Sequence, residues 1–375
     1  MGTGEQTDPA TGRQRVVLIT GSPFWIQGNG LSARTRALVM FLSGRYSLAV
    51  VYLHGVTQAE VDLMNSMGTR FELFILGEPG RASSQAALKE RFGRVFNESS
   101  LPAVYLIVKT ELSFMLNAIP VNGRTFLDTN DLVSDRTRSM AALRVRDEYP
   151  LTEDEEIAIM RRYDQVICIQ SSEYAKVLSW LGAEKVVLAP HPVATVEGTL
   201  RHTAAVIGFV ASRWHANVDA LQWFIEQVWP ALAGTGLRLD VYGYVGEAFP
   251  GMRIPGIRFM GFIDDLTACY AHIDIAINPV RYGAGLKIKT LEAMAHGVPA
   301  VVSTQGASGL EDLAGHAILV ADDARTFAAQ IKTLAGSLPL RQAMSSTAHD
   351  HVARHFGIDR CFGELARQIE GLATQ

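Results

Sequence analysis

The stretch RYGAGLKIKTLEAMAHGVPAVVST, residues 281–304, joins a glycine-rich turn to a short helix and then to an apolar strand. Ile288, Leu291 and Ala295 recur on one face at helical spacing, and Gly297 and Pro299 supply the stop. Gly283 and Gly285 let the backbone approach a ligand closely. The helix N-terminus beyond them offers free N–H groups and partial positive charge, to which Lys287 and Lys289 add formal charge. Such a device holds a phosphate or diphosphate. It is not a P-loop, since no GKS or GKT is present, and its glycines are not spaced G-x-G-x-x-G.

Outward from this stretch, strand and helix patterns alternate. RVVLITG (15–21), LAVVYLH (48–54), AVYLIVK (103–109), QVICIQ (165–170) and KVVLAP (185–190) read as buried strands of a first unit. Ser32 is a candidate N-cap for a helix burying Leu38, Phe41 and Leu42. Thr152 and Glu155 form a capping-box pattern, and a later helix from about Ser172 stops at Gly182. Residues 191–204, HPVATVEGTLRHTA, break the apolar rhythm and read as a linker. Alternation then restarts with AVIGFVA (205–211), LRLDVYG (237–243), IRFMGFI (257–263) and DIAINPV (274–280), and Val218, Leu221, Ile225 and Val228 mark a helix face. This order predicts an α/β protein with doubly wound parallel sheets. At 375 residues the chain is long enough for two such domains. The expected division is an N-terminal domain at 13–190, the linker, a C-terminal domain at 205–350 and a helical segment at 351–375.

Composition narrows the function. Hydrophobic residues at 48% and charged residues at 19% fit a globular chain with substantial cores. A net charge of −4 gives no general attraction to nucleic acid or to an anionic bilayer. Cys168, Cys269 and Cys361 are odd in number and far apart, which suits a reducing compartment and makes no metal cluster. No run approaches the ~20 apolar residues of a membrane span. MGTGEQTDPATG, residues 1–12, lacks a signal-peptide core, and Gln6 stands where myristoylation requires Ser or Thr. A disordered leader and a cytoplasmic protein, with at most peripheral membrane contact, are expected.

The 281–304 stretch resembles the nucleotide-sugar loop of retaining GT-B glycosyltransferases of family 4. Glu292, Ala293, Ala295, Gly297, Pro299 and Val301 match the second half of that family's signature, while its first glutamate falls at Ala284. GAGLKIK is similar to the form found in a subset of the family. VIGFVASRWHANVDALQWFIEQVWPAL (206–232) resembles the opening of the family's C-terminal domain, with Ala216 where proline is usual. FLDTNDLVSDR (126–136) resembles its D-T-H-D segment, with Asn130 at the histidine, and MGFIDDL (260–266) a turn whose backbone meets the base. The resemblance implies a GT-B fold with two Rossmann-like domains facing across a cleft. It also implies transfer of a sugar from a nucleoside-diphosphate sugar to a carbohydrate or lipid-linked acceptor, without a metal or other cofactor. The final segment, HVARHFGIDRCFGELARQIEGL, would cross back onto the N-terminal domain.

Candidate residues follow, each with a plainer reading. Glu292 suits a ribose diol, because both carboxylate oxygens accept hydrogen bonds; alternatively it pairs with Lys289 on its own helix. One of Lys287 and Lys289 is expected on the diphosphate, the alternative being solvation. Arg213 is either a further diphosphate cation or an exposed loop arginine. The resemblance implies that Gly243, Ile263, Gly283, Gly285 and Leu286 line the donor. It also implies that Asn130 and Asp131 approach the transferred sugar and the acceptor, although Asn130 cannot transfer protons and Asp131 could simply cap a turn. Gly28 and Gly30 allow close approach on the acceptor side or simply make a turn. Trp25, with Phe24, is an acceptor-sugar platform or core. An inverting enzyme would instead need a base such as Asp128 or Asp131. A nucleotide-sugar epimerase and an inactive GT-B binding protein are the other rivals. A dehydrogenase is disfavoured because PFWIQGNG, not a dinucleotide fingerprint, follows the first strand.

Overall fold

A computed structural model describes residues 12–371 apart from Gln27, residues 97–102, Thr199, Ile263 and Asp264. The expected leader lies outside the described residues but for Gly12, and Ile263 and Asp264 of the base-side turn lie outside them altogether.

The first sheet has seven strands: β1 (Arg15–Thr20), β2 (Ser47–Tyr52), β3 (Glu72–Ile75), β4 (Val104–Val108), β5 (Arg124–Asp128), β6 (Gln165–Cys168) and β7 (Val186–Leu188). Their order is β3-β2-β1-β4-β5-β6-β7, and every pairing is parallel. The second sheet has six: β8 (Val206–Val210), β9 (Arg238–Tyr242), β10 (Ile257–Gly261), β11 (Ile275–Asn278), β12 (Ala300–Val302) and β13 (Ile318–Val320). These run β10-β9-β8-β11-β12-β13, again all parallel. Helices cover both sheets, so the central strands are buried on both faces and read as continuous apolar runs; Val16–Ile19 are wholly buried. In each sheet the order reverses once, between β1 and β4 and between β8 and β11. Loops at the carboxyl ends of strands beside such a reversal form a ligand crevice.

Local signals behave as their chemistry requires. Thr152 and Glu155 make the full capping box of helix Glu153–Met160, and Gly182, at φ 87°, ends helix Ser171–Leu181. One cap differs from expectation. The helix after β1 spans Gly30–Arg45 and its N-cap is Asn29, whose side chain accepts from the Ser32 backbone N–H at 2.7 Å. Gly30 is tolerated in that first turn, so the helix starts earlier than the Ser32 assignment placed it.

The C-terminal segment is a break between two helices. Helix Leu338–His355 ends at Phe356, and Gly357 caps the start of helix Ile358–Glu370. The expected boundary at 350 therefore falls inside the earlier helix, and the change of direction comes at Phe356–Gly357. Helix Ile358–Glu370 buries Cys361, Phe362, Leu365 and Ile369. It packs on the first domain, with Phe362 5.1 Å from the Phe41 ring and Gln14 Nε2 donating to the Ile369 carbonyl at 2.9 Å. Among the described residues no helix is long and apolar enough to cross a membrane.

Candidate active site

The two sheets present their carboxyl ends to one cleft of about 950 Å³. Its walls come from the loops after β1, β4, β5 and β7 in the first domain and after β8 and β11 in the second. Helix Ile288–Ala295, predicted from its apolar spacing, stands at the floor and buries Leu291, Met294 and Ala295.

The glycine turn ahead of it does what glycine permits, though for a different partner than expected. Gly283 (φ 125°) and Gly285 (φ 76°) both occupy conformations that side chains avoid. A Cβ on Gly283 would lie 3.1 Å from the Trp214 ring, and one on Gly285 would lie 2.7 Å from the Asn130 carbonyl oxygen. The N–H groups are also committed. Gly283 donates to Ser139 Oγ and Gly285 to Glu173 Oε1, each at 3.1 Å, and both acceptors belong to the first domain. These two N–H groups therefore join the turn to the first domain, and the N–H groups expected for a diphosphate are those of the helix that begins at Ile288. Burial, with Asp131 nearby, raises Glu173 to about 8. Gly285→Ala is expected to hold the domains apart, and a larger radius of gyration in small-angle X-ray scattering checks it.

The charged residues of the floor divide their tasks. Lys287 turns its ammonium back on the loop, donating to the carbonyls of Ala284 (2.8 Å) and Gly285 (2.7 Å). Lys289 instead donates to Asn217 Oδ1 at 2.6 Å and sits 5.8 Å from the Phe209 ring centre. Burial lowers Lys287 to about 8, against the pull of Glu173, Asp131 and Glu311. It lowers Lys289 to about 7, with Lys287 adding to the fall and Glu292 opposing it. Glu292 is pushed up to about 7 by burial, against Lys289 and a hydrogen bond with Tyr270. The Tyr270 hydroxyl lies 3.2 Å from the Lys289 carbonyl as well, so one buried ring neighbours both charged residues. The helical ion pair offered as the plainer reading of Glu292 is not what the side chains adopt, since Lys289 faces Asn217. Leu286 is 7% exposed and lines the cleft from the core side.

Arg213 reaches the cleft rim, largely exposed and 3.6 Å from Glu247. Gly243 does not line the cleft. At φ 89°, its Cβ would lie 2.4 Å from the Ala211 carbonyl oxygen, so it lets the ends of β8 and β9 close together. Gly28 and Gly30 do line it, and they face the second domain: Gly28 lies against Phe262 and Gly30 against Ile288. Trp25 is the clearest correction. It is 6% exposed, packed edge-on against Phe24 and Tyr52, and absent from the cleft lining. A ring beside a strand end has been drawn into the core, so it offers no platform.

Asn130 and Asp131 line the cleft. Asn130 adopts φ 62°, and its amide donates to Asp128 Oδ2 at 2.9 Å. Asp128 is wholly buried in a two-toothed pair with Arg34, at 2.7 and 3.2 Å. Asp131 accepts from Arg136 through both oxygens, at 3.1 and 3.0 Å. Both carboxylates are thus engaged by arginines.

Sequence reasoning missed part of the first-domain wall. Lys109, at φ 81°, pairs with Glu111 at 2.9 Å, and Arg136 joins Glu111, Asp131 and Asp147. Lys109 and Asn130 are two of three non-glycine residues with positive φ among the described residues, and both line the cleft. Strain of this kind collects at functional sites. Lys109 was visible only as the last residue of an apolar run, and no local pattern linked it to Asp147. On the other side, His215 Nδ1 lies 3.0 Å from the Tyr282 hydroxyl, with the rings stacked.

Two parallel Rossmann-like domains facing across a cleft, with the terminal helix returned to the first, define the GT-B fold. Residues 204–337 match the family model of glycosyl transferases group 1. No curated protein matches the chain in sequence. Solved structures of similar fold include sucrose-phosphate synthase from Thermosynechococcus elongatus, with 16% identity and a TM-score of 0.72 over 96% of this chain and 100% of that one. Anabaena HepE in complex with UDP and glucose has 14% identity and a TM-score of 0.69, over 96% and 100%. S. aureus TarM in complex with fondaparinux, alpha-GlcNAc-glycerol and UDP has 9% and 0.69, over 95% and 99%.

Proposed function

We propose that the chain is a retaining glycosyltransferase that moves a sugar from a nucleoside-diphosphate donor to a carbohydrate or lipid-linked acceptor. The observation that carries this reading is the pair Lys289 and Glu292. They lie three residues apart at the cleft floor of a glycosyl transferases group 1 domain. Glu292 is assigned to the ribose hydroxyls and Lys289 to the diphosphate, with Arg213 as a second cation at the rim. Lys289 would stabilise the charge that develops as the glycosidic oxygen leaves. The acceptor enters between Asn130 and the Lys109–Glu111–Arg136 wall, and closure of the domains excludes water. Retention is favoured because Asp128 and Asp131 are held by arginines. Front-face displacement, in which leaving-group stabilisation dominates, needs no base from them.

A calorimetric screen of UDP-, GDP-, ADP- and dTDP-sugars, run with and without EDTA, tests the reading. UDP-sugars come first, because two of the proteins of similar fold were solved with UDP. Metal-independent binding of one of them is expected. Glu292→Ala should weaken it about 10- to 100-fold, the scale of two hydrogen bonds to a charged group. Binding of none, or equal binding by Glu292→Ala, would count against the assignment.

A further inference from the structure

We propose that Asn217 is a positioning residue that holds the Lys289 ammonium in the cleft through an uncharged acceptor and ties it to the loop after β8. The proposal rests on the reading of Lys289 as the diphosphate cation. Asn217 is the third residue of helix His215–Trp223 and is 3% exposed. Its amide nitrogen donates to the Ser212 carbonyl oxygen at 3.0 Å and to Ser212 Oγ at 3.2 Å. A carbonyl oxygen can only accept, so these bonds settle which end of the amide is nitrogen. The amide oxygen is left pointing at Lys289, whose Nζ lies 2.6 Å away. One ammonium hydrogen is thereby used, and two remain for oxygens of a ligand.

The surroundings make the absence of charge on Asn217 consequential. Lys289 faces Phe209 from β8, Lys287 from its own loop, Glu292 from its own helix and Tyr270 from the helix Leu266–Tyr270. Arg213 belongs to the same post-β8 loop that Asn217 anchors through Ser212. A carboxylate at position 217 would hold the ammonium more tightly, keep it protonated to higher pH and repel a diphosphate. The amide gives direction without competing for the charge.

The test reads the amine itself. The rate at which acetic anhydride acylates Lys289 is followed against pH by peptide mass spectrometry, in the full chain and in Asn217→Asp and Asn217→Ala. UDP-glucose affinity is measured beside it by calorimetry. Asn217→Asp should move the acylation midpoint up by about 1 pH unit or more, as an opposite charge in contact does. Both variants should bind UDP-glucose at least ~10-fold more weakly than wild type, the scale of one charge-assisted hydrogen bond. An unmoved midpoint in Asn217→Asp overturns the proposal. So does wild-type UDP-glucose affinity in a folded Asn217→Ala. If the wild-type chain binds no sugar nucleotide at all, the functional reading falls separately, and the acylation midpoint still decides whether Asn217 holds Lys289.

Discussion

Asp128→Ala is expected to destabilise the protein by about 3–5 kcal/mol, the cost of leaving one member of a buried ion pair uncompensated. Arg34 and Asp128 are both inaccessible to solvent and meet through two contacts of 2.7 and 3.2 Å, so the variant leaves the guanidinium buried without its counter-charge. The Arg34 guanidinium also donates to the Pro190 carbonyl at 2.7 Å and lies 5.1 Å from the Phe362 ring centre. The loss would therefore be felt at the end of the first domain, next to the linker, and at the returning C-terminal helix. Asn130 would lose the acceptor of its amide at the same time. Urea unfolding followed by tryptophan fluorescence checks the prediction, and the double variant Arg34→Met/Asp128→Leu is its control. With both charges removed the core should recover most of the lost stability. Equal damage from the single and double variants would show that shape, not charge pairing, matters there.

Lys289→Ala is the larger effect on chemistry. Turnover should fall about 10²- to 10³-fold, the scale of removing one donor from a developing oxyanion. The fall should lie mainly in kcat, since the charge on the leaving diphosphate grows only as the sugar bond breaks. The pH profile carries the sign. Lys289 is held near 7, so its charge is present below that pH and is lost as pH rises through it. Glu292, also near 7, ionises over the same range, and its ribose interaction strengthens as pH rises. The two titrate as a pair, and donor use should peak near neutrality. In Lys289→Arg the guanidinium stays protonated, so the falling limb should move to higher pH while the rising limb remains. A profile in Lys289→Arg identical to that of wild type would remove Lys289 from the diphosphate.

How far the fold was legible depended on burial. β1, β4, β6 and β8 lie inside their sheets, and covered parallel strands are apolar on both faces, so each appears as an unbroken run. β3 and β13 were not foreseen. Each is an edge strand of three or four residues, partly exposed, and Glu72–Ile75 alternates too weakly to stand out from its surroundings. Helix Ile288–Ala295 was legible from its apolar spacing, and the Gly182 stop from the left-handed freedom of glycine. Trp25 stayed open between platform and core because a large ring next to a strand end looks the same in sequence whether it points to a cleft or to a core.

The chain's own order of residues determined two alternating α/β units, a glycine turn opening a buried helix, and Lys289 and Glu292 three positions apart on it. These are local consequences of periodicity, backbone freedom and charge, which act within about ten residues. Only the tertiary structure decided what those groups touch. It gave the Gly283 and Gly285 N–H groups to Ser139 and Glu173, and it closed Asp128 on Arg34 across 94 positions. It also set Asn217 against Lys289 across 72 positions. Hydrogen bonds and ion pairs reach about 3 Å. Their partners are therefore chosen by how the sheets bring distant loops to one cleft, and no local pattern in the chain records that choice.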